Sequence, residues 1–156
     1  MVSYLRVVDD KGVPHCSFVL GKSRVTPLKV VSIPRLELAV VAVKLNCLIQ
    51  NELEYPIHDI IYWTDSTVVL QYIRNESRRF HTFVANRVAM IHEESTPRQW
   101  RHVDTYVNPA DIASRGAKGS ELHKLELWLH GPRFSGRTRN IGLTTVPVAR
   151  IVSRSQ

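Results

Sequence analysis

The sequence predicts a mixed α/β domain in which helices flank one sheet. Short β-rich runs alternate with helical periodicity in the order β-β-α-β-α-α-β-α, a succession that packs as sheet and helix layers around one core. The chain has 156 residues, the length of a single domain. Its composition, 44% hydrophobic and 22% charged, supplies enough apolar side chain for that core.

The elements follow from local signals. Val2 to Val8 is a β-rich run that stops at the turn signal Asp9-Asp10-Lys11-Gly12, and Cys16 to Leu20 returns as the second strand of a hairpin. Pro34 opens a helix, being favoured at the first helical position. Leu36, Val40, Val43 and Cys47 fall on one face of it, and Glu37 lies in its first turn, where the helix dipole favours a carboxylate. Ile60-Ile61-Tyr62-Trp63 is a short apolar, β-branched and aromatic run that suits a buried strand. Thr64-Asp65-Ser66 follows, then a helical stretch through Val69 and Ile73. Phe80, Val84, Val88 and Ile91 mark the face of the next helix, and Gln99 to Val103 reads as a strand. Asn108-Pro109-Ala110-Asp111 starts the last helix: Asn is a good N-cap, Pro suits the first position, and Asp at the third can reach back to the cap. Gly116 closes it, and no internal repeat is present.

Composition excludes several functions. The two cysteines, Cys16 and Cys47, form no Cys-x-x-Cys pair, so a zinc ribbon or knuckle is excluded and two reduced thiols are expected. Gly21-Lys22-Ser23 resembles the end of a phosphate-binding loop, but the glycine required five residues earlier is replaced by Cys16. The longest apolar run, Leu38 to Val43, is far short of the ~20 residues that cross a bilayer. Met1-Val2-Ser3-Tyr4-Leu5-Arg6 has no charged leader and apolar core, so the chain reads as intracellular, with no membrane partner. A net charge of +7 and a pI of about 9.8 suit a polyanion such as nucleic acid. No acidic residue follows Glu126, whereas Arg133, Arg137, Arg139, Arg150 and Arg154 do, so 135–156 reads as a basic flexible tail.

Three acids occupy positions suited to chemistry. Glu37 is at a helix start, Asp65 at the carboxyl end of a buried strand, and Asp111 in the first turn of the last helix. Ligands of open α/β sheets collect at strand carboxyl ends. Three carboxylates converging there make an oxygen-ligand site for Mg2+ or Mn2+. Two such ions, roughly 3.5–4 Å apart, stabilise both the attacking water and the leaving oxygen of a phosphodiester. Each acid also has a purely structural use: Glu37 complements the helix dipole, Asp65 caps the following helix, and Asp111 completes a capping box.

The residues themselves resemble a known family. Lys22-Ser23-Arg24-Val25-Thr26-Pro27-Leu28-Lys29 with Ile33-Pro34-Arg35-Leu36-Glu37-Leu38 is similar to the BEL/Pao-type retrotransposon polyprotein. So are Trp63-Thr64-Asp65-Ser66-Thr67-Val68-Val69-Leu70 with Tyr72-Ile73-Arg74, and Arg79-Phe80-His81-Thr82-Phe83-Val84-Ala85-Asn86-Arg87-Val88. Trp100-Arg101-His102-Val103, Asn108-Pro109-Ala110-Asp111-Ile112-Ala113-Ser114-Arg115-Gly116 and the closing Leu127-Trp128-Leu129-His130-Gly131-Pro132 complete the resemblance, in order from about residue 2 to residue 134.

The resemblance implies a ribonuclease H-like fold, a mixed sheet flanked by helices. It implies an enzyme that cuts the RNA strand of an RNA–DNA hybrid with two divalent metals held by an Asp-Glu-Asp-Asp set, beside the reverse transcriptase segment of the same polyprotein. Glu37, Asp65 and Asp111 match the second, third and fourth acids of that set. The family carries the first acid on an opening, central strand in an Asp-Ala-Ser motif, and this chain starts after that point. The expectation is therefore a sheet lacking its first, central strand, with exposed neighbouring edges, poor stability and an incomplete metal site. Asp9 and Asp10 are no substitutes, since a strand of that length puts them on the order of 10 Å or more away. The expected layout is a ribonuclease H-like domain over 1–116, a closing segment over 117–134 and the tail.

Basic residues interleaved with aromatics suit phosphate contact and base stacking. Arg78, Arg79, His81 and Arg87 around Phe80 and Phe83 are candidates for this, although the phenylalanines equally suit a core. Lys22 and Arg24 are further candidates, and His102 takes a substrate or core role, because the loop Asp104 to Val107 carries no histidine. Neither Asp65-Ser66-Thr67 nor Asp104-Thr105-Tyr106 is an aspartic peptidase motif. Two readings compete with an active hybrid ribonuclease: a non-catalytic nucleic-acid-binding remnant and an inactive gene fragment.

Overall fold

A computed structural model describes residues 1–9, 11–22, 34–53, 57, 59–75, 80–115, 120–131 and 142–146. The strands are β1 (Val2–Val8), β2 (Pro14–Gly21), β3 (Asp59–Thr64), β4 (Trp100–His102) and β5 (Gly142–Val146). The helices are α1 (Pro34–Glu52), α2 (Thr67–Arg74), α3 (Thr82–Glu94), α4 (Pro109–Arg115) and α5 (Leu122–His130). The predicted order holds from β1 to α4, and α5 and β5 extend it.

The hairpin is made by Asp9. Its Oδ1 accepts the N–H groups of Lys11 (3.0 Å) and Val13 (2.8 Å), and Gly12 takes a φ of 79°, which suits a residue without Cβ. The Val13 N–H, and then His15 with its Nε2 at 3.2 Å from Oδ2, hold the Asp9 carboxyl below the usual range. Asp9 is thus committed to the turn.

The sheet runs β2-β1-β5-β3-β4. Strand β5 is antiparallel to β1, from Val2↔Val146 to Arg6↔Gly142, and parallel to β3, from Asp59↔Gly142 to Tyr62↔Thr145. Residues 142–146, within the stretch that charge suggests is a tail, form a strand that lies between β1 and β3. The resemblance assigned that position to an opening strand, and Gly142–Val146 fills it. Thr144-Thr145-Val146 is a β-branched run, and the facing edges of β1 and β3 offer the strand backbone partners on both sides.

Alternate side chains point to opposite faces of a strand, and the two cores follow from this. Tyr62 packs with the helical core while its neighbour Trp63 packs with the other cluster. On the first face α1 is buried nearly all round, at Leu36, Leu38, Ala39, Val40, Ala42, Val43, Leu45, Asn46 and Ile49. A helix apolar on most sides is a central one, and α2 and α3 cover it with Val69, Leu70, Ile73, Val88 and Ile91. On the second face Val2, Tyr4, Val103 and Ala110 pack with Phe18, Trp63 and Trp128. The Tyr4 hydroxyl donates to the Trp128 carbonyl (2.8 Å), and Phe18 lies 5.4 Å from the Trp128 ring, so the end of α5 is fastened to the hairpin. Gly131 (φ 71°) lies where a Cβ would come 3.2 Å from Cys16 Sγ. The described part of the predicted closing segment therefore packs on β1 and β2.

Burial also sets an alkaline limit. Tyr62 is 1% exposed, and burial pushes its phenol up to about 12, against the lowering effect of a hydrogen bond with Asn46. Below pH 10 the phenol is neutral in both folded and unfolded chains, so its stabilising contribution is complete. Between pH 10 and 12 only the unfolded chain ionises, and about 2–3 kcal/mol is lost. Urea midpoints measured from pH 8 to 12 are expected to fall above pH 10, and Tyr62→Phe to soften the fall. A wild-type midpoint flat to pH 12 would mean that Tyr62 is reached by solvent.

Candidate functional site

The site is built where β3 ends. Thr64 Oγ1 accepts the Ser66 N–H (3.2 Å), and Ser66 Oγ accepts the Val69 N–H (3.3 Å), so Ser66 and not Asp65 caps α2. The Asp65 carboxylate, 5% exposed, is left to Arg35 at the start of α1, whose Nη1 donates to Oδ1 at 3.4 Å. Glu37, two residues after Arg35, accepts a hydrogen bond from Arg87 Nε of α3 at 2.7 Å. The Arg87 guanidinium lies 4.3 Å from the Phe83 ring centroid, which fixes its plane.

Asp111 stands in the first turn of α4, half-buried. Asn108 caps that turn: its Oδ1 accepts the Ala110 N–H (3.1 Å), and the Asp111 N–H donates to the Asn108 carbonyl (3.1 Å). Strand β4 brings the segment alongside β3, with Thr64↔His102 in register and the Val103 N–H donating to the Thr64 carbonyl (3.1 Å).

Two of the three acids are thus each matched by an arginine. Among the described residues no group of three or more His, Cys, Asp or Glu side chains is arranged to hold a metal ion. The central strand, Gly142-Leu143-Thr144-Thr145-Val146, contains no carboxylate.

The basic candidates divide. Lys22, His81 and His102 are exposed. Arg87 is engaged with Glu37 and Phe83. Phe80 packs edge-on against Tyr72, with centroids 5.1 Å apart, so both phenylalanines have partners inside the molecule. Arg24, Arg78 and Arg79, like Gly116, lie outside the described residues. Three residues were not singled out from sequence. Arg35 pairs with an acid 30 positions away, which no local pattern signals. Arg101 lies over Trp63 at 5.7 Å from the ring centroid. Tyr106 is 96% exposed, and its one sequence signal is an aromatic between Asp104-Thr105 and Val107-Asn108.

No helix among the described residues is long and apolar enough to cross a membrane. No curated protein and no solved structure matches the chain. Residues 1–66 match the family model of the Pao retrotransposon-like RNaseH-like domain. The match spans β1, β2, α1 and β3 and includes Glu37 and Asp65. A mixed sheet covered by helices agrees with this likeness, which is confined to residues 1–66.

Proposed function

We propose that the chain is an RNase H-like domain of a retrotransposon pol polyprotein, derived from a Mg2+- or Mn2+-dependent hydrolase of RNA–DNA hybrids, and that in this form it binds such hybrids without cutting them. Its neighbour in the parent polyprotein is a reverse transcriptase segment. The observation that carries this reading is the pairing of Glu37 with Arg87 and of Asp65 with Arg35. A two-ion hydrolase needs its carboxylates as ligands, with ions stabilising the attacking and leaving oxygens. Here guanidinium groups supply the positive charge facing two of the acids, and the 2.7 Å bond from Arg87 to Glu37 has the length of a charge-assisted hydrogen bond. The net charge of +7 supplies the long-range attraction for a polyanion.

The test is a labelled RNA–DNA hybrid with Mg2+ or Mn2+, given to the chain and to Asp65→Asn. The expected result is binding that weakens linearly in log–log terms with salt, and no cleavage. Cleavage by the chain that is lost in Asp65→Asn would restore the hydrolase reading. Absence of binding at low salt would remove both.

A further inference from the structure

We infer that Tyr106 is a stacking platform for an unpaired base at the edge of this site, an inference that rests on the nucleic-acid-binding reading. The chain leaves β4 at His102, and the Val103 N–H bonds the Thr64 carbonyl, so it exits at the end of the sheet that holds Asp65. It then turns through Thr105–Val107, closed by hydrogen bonds from the Val107 N–H to the Asp104 carbonyl (3.1 Å) and from the Asn108 N–H to the Thr105 carbonyl (3.3 Å). Both flanks are anchored, with Val103 4% and Asn108 2% exposed. Between them Tyr106 is 96% exposed, with Val107 beside it at 46%.

An aromatic ring held on a short hydrogen-bonded turn, with buried residues on either side, is presented to solvent at little ordering cost. Its neighbours choose the ligand. Arg101 is exposed just ahead of it, its guanidinium positioned against Trp63. A ring that stacks and a cation that meets phosphate are the two parts of a single-strand binding surface. In a duplex each base already stacks on its neighbours, so the ring meets a base only where one is out of the stack, at an overhang, a bulge or a single strand.

The experiment measures fluorescence anisotropy of the full chain, Tyr106→Ala, Tyr106→Phe and Arg101→Ala. The probes are a blunt RNA–DNA hybrid, the same hybrid with a single-stranded RNA overhang, and a single-stranded RNA. Tyr106→Ala is expected to weaken binding of the overhang and the single strand about 10-fold, the scale of one stacked base. Blunt-hybrid binding stays within about two-fold and the salt slope is unchanged. Tyr106→Phe keeps the ring and the affinity, whereas Arg101→Ala lowers the salt slope by about one. If the wild type binds and Tyr106→Ala matches it on every probe, the stacking role is overturned while the binding reading stands. An equal loss on all three probes with a lowered unfolding midpoint assigns Tyr106 to structure and also overturns it. If the wild type binds none of the probes, the underlying reading falls first.

Discussion

Thr144→Pro is expected to unfold the domain. Thr144 is the middle residue of β5 and faces Tyr4 on one side and Ile61 on the other. Proline removes the backbone donor and fixes φ, and inside a sheet it is confined to edges and bulges. The local cost of a ladder bond lost, with its buried acceptor left unsatisfied, is about 1–3 kcal/mol, a sizeable share of the roughly 5–15 kcal/mol that holds a domain together. The consequence spreads because β5 is the only link in the sheet between the β1–β2 hairpin and the β3–β4 pair among the described strands. Detaching it leaves β1 and β3 with open edges at the centre of the molecule. Thermal unfolding followed by circular dichroism should lose its cooperative transition, or fall by about 10 °C or more. Thr144→Val keeps a β-branched side chain and should stay close to wild type. A Thr144→Pro transition equal to wild type would show that Gly142–Val146 does not join the two halves.

Trp100→Ala is expected to cost about 3–5 kcal/mol, the range for emptying a large aromatic site. Trp100 is 1% exposed and stacks on Tyr62 of the neighbouring strand, with centroids 4.6 Å apart and planes at 14°. Its Nε1 donates to Ser95 Oγ (3.0 Å), and that hydroxyl donates to the Ile91 carbonyl (2.7 Å) at the end of α3. One indole therefore joins β4, β3 and α3. Trp100→Phe keeps most of the stack but leaves a buried hydroxyl without its donor, at about 1–2 kcal/mol. Urea unfolding of both variants separates the two contributions. A double-mutant cycle with Tyr62→Ala should show a coupling of about 0.5–1.5 kcal/mol for the ring pair. If Trp100→Ala costs less than about 1 kcal/mol, β4 is peripheral. The placement of His102 and Arg101 beside the site would then lose its support.

The sequence by itself determined the order of elements from β1 to α4, because the signals are local. Asp9 and Gly12 make the turn, Pro34 opens α1, and Asn108 with Pro109 starts α4. It also determined that Asp65 ends a strand and that Glu37 and Asp111 occupy first turns, since these follow from element boundaries. Their partners were not legible. Arg35 meets Asp65 across 30 positions and Arg87 meets Glu37 across 50, distances over which helical and strand periodicity carry no information. The central strand was hidden for a related reason. Strand propensity says that Leu143 to Val146 fits a pleated surface, not which one. In a stretch followed by no acid and flanked by arginines, charge suggested a tail. Only the tertiary structure, by setting the edges of β1 and β3 apart by one strand's width, created the backbone hydrogen-bonding demand that Gly142–Val146 satisfies.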